Sequence, residues 1–188
     1  MNLKKVAAAR ALEAVSSGMI LGLGTGSTSA IFVDLLGEAI QSGRLTGIRA
    51  VPTSNATAQH AQRLGIPLVS LQEQPVLDLA VDGADEVDPD LNLIKGLGKA
   101  LLREKIVEVH ARRLLIIVDE SKLVPHLGLR GPLPVEIVPF EAEAHVRWLN
   151  TLGCRAELWR DETNRPWVTD NQNFLARCWF AQGILDVY

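Results

Sequence analysis

The sequence predicts an α/β fold, a mostly parallel sheet flanked by helices, with a smaller α+β lobe after it. Three observations predict it. Between Met19 and Val118 short strands alternate with helical stretches, and each strand is apolar at consecutive positions. Strands of that kind are buried on both faces, as in a parallel sheet covered by helices. Four strand ends carry polar clusters: GTGST, PTSN, DGAD and DESK. Past Gly128 the rhythm changes to prolines, one helix and short strands joined by polar turns.

Composition bounds the function. The 188 residues suffice for one sizeable domain, or one with a small second lobe. A net charge of −3 gives no basic face for phosphate backbones, so neither nucleic acid nor a membrane surface is an expected partner. Cys154 and Cys178 make no disulfide framework, which fits a reduced compartment. The four histidines show no metal-ligand spacing with each other or with the cysteines. Arg10 and Glu13 interrupt the apolar character of the first fifteen residues, which read as an amphipathic helix rather than a signal peptide. No apolar run approaches a membrane span, and the expectation is a cytoplasmic protein.

In order, the first helix ends before Gly18. A strand over Met19–Leu23 runs straight into Gly22–Thr28 (GLGTGST), with a helix from Ala30 to Gln41. Strand, glycine-rich turn and helix place amides and a helix dipole around a phosphate. A dinucleotide loop would need a third glycine where Ser27 stands, and an acid at the end of the next strand. That strand, Ile48–Val51, ends in Pro-Thr-Ser, so a single phosphate fits better. Ser54 or Asn55 caps a helix that stops at Gly65. Leu68–Leu71, Leu77–Val81 and Leu114–Val118 complete the strands, with a helix from Ala100 to about Arg113. In the lobe, Val135–Val138, a helix from Glu141 to Leu152, Arg155–Arg160 and Pro166–Phe180 are expected. All four tryptophans fall there, as lobe core or as a subunit interface.

The chain is organised around Asp82–Lys105, DGADEVDPDLNLIKGLGKALLREK. It follows the apolar strand 77–81 and packs Asp82, Asp85 and Glu86 into five residues before Lys95 and the Gly96–Gly98 step. Ligands of open α/β sheets collect beyond the carboxyl ends of the strands. Asp88 and Asp90 read as turn formers beside Pro89.

Seven motifs in order, GLGTGST, VPTS, DGADEVD, IKGLGKALLREKI, VDESK, PLPVEIVP and VTDNQN, make the chain similar to type A ribose-5-phosphate isomerase, to about Asp186. The resemblance implies a Rossmann-like catalytic domain over 1–130 and a small α+β lobe over 131–188. It implies interconversion of ribose 5-phosphate and ribulose 5-phosphate in pentose phosphate metabolism, with no cofactor and no metal. It also implies a homodimer or homotetramer. Glu104 would be the catalytic base, with Lys95, Asp82 and Asp85 catalytic beside it. Substrate would be held by Thr25, Gly26, Ser27, Thr28, Asp82, Gly83, Ala84, Asp85, Lys95, Gly96, Leu97, Gly98 and Lys122. Lys4 joins the phosphate loop on spacing alone. Glu108, one turn beyond Glu104, is expected to be silent.

The chain departs from the family pattern in three places. Leu97 replaces the middle of three glycines, with Lys99 after it in place of a small residue. Gln172 and Arg177 stand where the family tends to have glycine and aspartate. The family also continues a few dozen residues past Asp186 and returns a strand to the main sheet, so an incomplete lobe is expected, with marginal stability or association through it. These departures motivate a second reading, a catalytically weak sugar-phosphate-binding or regulatory protein on the same scaffold.

Overall fold

A computed structural model describes residues 2–185 and 187; Met1 and Asp186, at the limits of the sequence reading, lie outside the described residues. In chain order the elements are α1 (Leu3–Leu12), β1 (Ile20–Leu23), α2 (Ser27–Gln41), β2 (Arg49–Pro52), α3 (Asn55–Arg63), β3 (Leu79–Asp82), β4 (Glu86–Val87) and β5 (Leu93–Ile94). Then follow α4 (Leu101–Val109), β6 (Leu114–Ile116), β7 (Leu133–Ile137), α5 (Ala142–Asn150), β8 (Arg155–Leu158) and β9 (Phe174–Trp179). They form two compact units, Met1–Gly83 with Leu102–Ser121, and Ala84–Leu101 with Lys122–Tyr188. The chain therefore changes unit three times, at places other than the division expected at residue 130.

The first unit holds a four-stranded sheet in the order β2-β1-β3-β6, every pair parallel. Parallel pairing puts all four carboxyl ends on one edge. Phe32, Val33 and Leu36 of α2 bury fully against Leu21, Leu23, Leu79 and Val81, with Ala8 and Ala11 of α1 in the same cluster. Each buried Phe, Leu or Val side chain contributes roughly 1.5–3 kcal/mol by leaving water. Asn2 caps α1 by accepting from Lys5 N–H, and Ser54 caps α3 by accepting from Thr57 N–H at 3.0 Å. No helix among the described residues is long and apolar enough to cross a membrane.

Two expected elements shrink. Leu68–Leu71 is reduced to one bridge from Leu68 to Ala50. Pro67 has no N–H to extend the ladder, and Ser70 turns into a tight turn closed by the Glu73 carboxylate. Helix α4 ends at Val109, because Leu77 trades hydrogen bonds with His110 and Arg112 at the sheet.

The second unit contains a short antiparallel hairpin of β4 and β5, an element absent from the strands expected above. Its turn is organised by Asp88, whose Oδ1 accepts from the N–H groups of Asp90 and Asn92, in keeping with the turn-forming role expected of it. The larger sheet is antiparallel, β7-β9-β8. One face buries Ala156, Leu158, Ala176 and Cys178 against Ala142, Val146 and Leu149 of α5. Burial, and after it the neighbouring Cys154 thiol, push Cys178 up to about 12, and both cysteines are free. Pro166–Phe180 supplies only β9 as strand, with single bridges before it.

None of the tryptophans belongs to this core. Trp148 is 61% exposed, while Trp159, Trp167 and Trp179 are half-buried against cations. Arg155 lies 4.1 Å from the Trp179 ring centre and Arg177 lies 5.4 Å from that of Trp159. Alternation along β8 and β9 sends Arg155, Glu157, Arg177 and Trp179 to the face opposite α5. On that face Arg177 also donates to Glu157 at 2.6 Å.

Candidate active site

In the first unit the site grows from the end of β3. Asp82 is 1% exposed, and its Oδ1 accepts from Thr25 N–H at 3.1 Å, Ser29 Oγ at 2.9 Å and Gly83 N–H at 2.7 Å. Gly24 makes that seat possible, since a Cβ there would overlap the Asp82 carboxylate. Ser29 was not picked out from the sequence; the signal available was a small hydroxyl on the buried face of α2.

The glycine loop opens α2 as expected. Gly26 takes φ +117°, in the left-handed half of the map, and the helix starts with Ser27 directly after it. No side chain caps this end, so the first amides of α2 point at whatever occupies the loop. Lys4 Nζ donates to Ser27 Oγ at 2.8 Å, which brings the cation added on spacing alone to the loop. The Thr25 hydroxyl turns the other way. It bonds Thr53 at 2.7 Å and Ser54 at 2.9 Å, tying the ends of β1 and β2 together.

Glu104 sits in the first turn of α4 and is 3% exposed. Its carboxylate shares a cluster with those of Asp82 and Glu108, one oxygen of each lying within 4.8 Å of the others. Glu108 is one helical turn on, so both acids project from the same face. Glu108, expected to be silent, thus lies in the same carboxylate cluster as Glu104 and Asp82. Among the described residues these three are the one group of acids, histidines or cysteines close enough to hold a cation.

In the second unit Asp85 anchors the lysine loop. Its N–H donates to Ile94 O at 2.8 Å, and its Oδ2 accepts from Leu97 N–H at 2.9 Å. Lys95 follows β5, and Gly96 takes φ +107°. Leu97 is not among the residues with left-handed φ, so replacing a glycine there costs no backbone strain of that kind. The strained position is Lys99, at φ +68°. Gln172, another departure from the family, takes φ +63° where glycine would be at ease.

Glu86, grouped with Asp82 and Asp85 by spacing, is committed elsewhere. It is 2% exposed and accepts the backbone N–H groups of Gly128, Leu129, Arg130 and Gly131, the shortest at 2.6 Å. Gly83 and Ala84 form the step between β3 and β4, and Gly98 lies in the turn before Lys99. Lys122 closes a single helical turn, Glu120–Lys122, after β6.

The parallel sheet carries a glycine-rich helix start and, at the end of β3, the buried Asp82 and Glu104, at the edge where ligands of open sheets collect. Comparisons with known proteins give the family. Residues 49–187 match the family described as ribose 5-phosphate isomerase A (phosphoriboisomerase A), and the chain belongs to that family. Among its relatives, ribose-5-phosphate isomerase A of Synechococcus sp. (strain JA-3-3Ab) is 51% identical over 181 residues, covering 96% of this chain and 78% of that protein. The probable chloroplastic ribose-5-phosphate isomerase 3 of Arabidopsis thaliana is 47% identical, over 98% of this chain and 69% of its own. A D-ribose-5-phosphate isomerase solved with phospho-erythronic acid superposes with a TM-score of 0.95 at 44% identity, over 99% of this chain and 82% of that one. The enzyme from Plasmodium falciparum gives 0.94 at 39%, over 98% and 80%.

Proposed function

We propose that this chain interconverts D-ribose 5-phosphate and D-ribulose 5-phosphate by proton transfer through an enediolate, without metal or cofactor. The observation that carries the reading is Glu104, a buried carboxylate in the first turn of a helix, grouped with Asp82 at the strand edge. Relatives about half identical over most of the chain, each named as this isomerase, support it. They favour it over a catalytically weak binding protein.

The chemistry assigns the roles. Asp82 and Asp85 hold sugar hydroxyls and assist ring opening. Glu104 then takes the proton from C2 of the open aldose while the C2–H electron pair forms the C1–C2 double bond and O1 becomes the oxyanion. Lys95 stabilises that oxygen, where a preorganised cation acts most strongly. Glu104 returns the proton to C1 as the O2 proton passes to O1, which leaves C2 a carbonyl and C1 a primary alcohol, the ketose. Gly26 to Thr28 bind the 5-phosphate through amides and hydroxyls, with Lys4 and Lys122 as counter-charges, while Thr25 fixes the loop. Gly83, Ala84, Gly96, Leu97 and Gly98 shape the substrate loops with their backbone. A cytoplasmic homodimer or homotetramer belongs to the same reading, and sedimentation equilibrium tests its stoichiometry.

The reading is tested by a coupled isomerase assay on ribose 5-phosphate, repeated with unphosphorylated ribose and after EDTA. Turnover of the phosphate ester alone, unchanged by EDTA, is expected. Equal turnover of plain ribose would remove the phosphate assignment. Activity lost to EDTA and restored by Mg²⁺ or Mn²⁺ would remove the metal-free mechanism.

A further inference from the structure

We propose that Lys99 is a positioning residue that latches the Lys95–Gly98 loop by seating its ammonium on the indole pair of Trp159 and Trp167. The proposal rests on the isomerase reading for its consequence and on geometry for its existence. Lys99 Nζ lies 3.3 Å from the ring centre of Trp167 and 5.1 Å from that of Trp159. Its backbone holds φ +68°, a conformation a long side chain seldom takes. Its N–H donates to Gly96 O at 2.8 Å and closes the turn that carries Leu97 and Gly98. Strain of this sort persists only where surrounding structure over-determines it, and it gathers at functional loops.

The receiving surface is fixed. Trp159 N–H donates to Leu175 O at 2.7 Å and Trp167 N–H to Trp159 O at 2.8 Å, so both rings ride on backbone tied to β9. The loop therefore has two anchors, the Asp85 carboxylate on Leu97 N–H and the indole pair on the Lys99 side chain. Burial also pushes the ammonium of Lys99 below its usual range, as removal from water against aromatic faces should. Lys99 thus acts on substrate through the loop it holds, and Lys95 is the group whose placement it secures.

A cation–π contact shifts an equilibrium by roughly two- to thirtyfold, so loss of the latch should show in steady-state kinetics on the full chain. Lys99→Met keeps the length and the φ demand but removes the charge. Its kcat/KM for ribose 5-phosphate should fall about five- to twentyfold, and affinity for phospho-erythronic acid by a similar factor. Lys99→Gly frees the backbone, so it should keep the melting temperature within about 2 °C and lose the same kcat/KM. Lys99→Arg, which also stacks on indole, should return kcat/KM to within about twofold of the original.

Hydrogen exchange reads the latch without reference to activity. The amides of Leu97 and Lys99 should exchange about tenfold faster in Lys99→Met than in the original chain. Original kcat/KM in both Lys99→Met and Lys99→Gly would overturn the positioning role. Unchanged exchange in Lys99→Met would overturn the latch itself. A chain that exchanges as expected but does not isomerise would instead overturn the isomerase reading.

Discussion

The glycine loop before α2 and the lysine loop before α4 meet the same backbone demand in opposite ways. At Gly26 the left-handed conformation is met by glycine, which adopts it without steric cost. The lysine loop has glycine at one left-handed position, Gly96, but lysine at the other, Lys99. That second position is held by a hydrogen bond to Gly96 and by two indoles from sixty and more residues along the chain. Glycine needs no partner to hold the left-handed conformation; lysine is held there by partners that its own stretch of sequence does not contain.

The largest effect should fall on neither loop. Glu104→Gln keeps size and hydrogen bonding but cannot take a proton, so kcat should drop by at least about a hundredfold with KM changed only a few-fold. Retention of more than about a tenth of kcat would move the base to another carboxylate. Next comes Glu86→Gln, which removes a charge that four loop amides share. Chemical denaturation should register a loss of about 2–4 kcal/mol with m unchanged. A loss below about 1 kcal/mol would mean that the 128–131 loop does not depend on that carboxylate.

The glycine loop is probed by Ser27→Ala with Thr28→Ala. Two hydroxyls lost from an anion site should raise KM by roughly ten- to a hundredfold and leave kcat nearly intact. A kcat effect in place of the KM effect would assign those hydroxyls to the chemistry. Glu108→Gln should lower kcat by roughly three- to thirtyfold, because a carboxylate flanking the base orients it; a silent variant would leave Glu108 with no part in the chemistry. The smallest effect belongs to Gln172→Gly. Relief of the left-handed conformation is offset by the freedom glycine regains on unfolding, so stability should change by less than about 1 kcal/mol. A larger loss would show that the glutamine side chain supports its turn as Lys99 supports its own.

Much of the first unit was legible because its signals are local. Consecutive apolar residues gave β1 and β3, a cap at Ser54 or Asn55 announced α3, and three glycines with hydroxyls marked the loop that starts α2. The parallel order β2-β1-β3-β6 then brought the strand ends to one edge, as the four polar clusters had suggested. The second unit was read less well. Its hairpin is two residues per strand, too short for a period to register, and three of its tryptophans lie on cations and the fourth is exposed, none in the core.

By itself the sequence determined the α/β class, the glycine-rich start of α2 and the acids at the end of the third strand. These follow from glycine at left-handed φ, from capping hydroxyls and from buried-strand patterning, which act within a few residues. Only the tertiary structure decided what each carboxylate faces. Asp82 met Ser29 and Glu108, while Glu86 met the amides of 128–131. Those partners lie tens of residues away along the chain, and a buried charge is governed by what packs around it rather than by its neighbours in sequence.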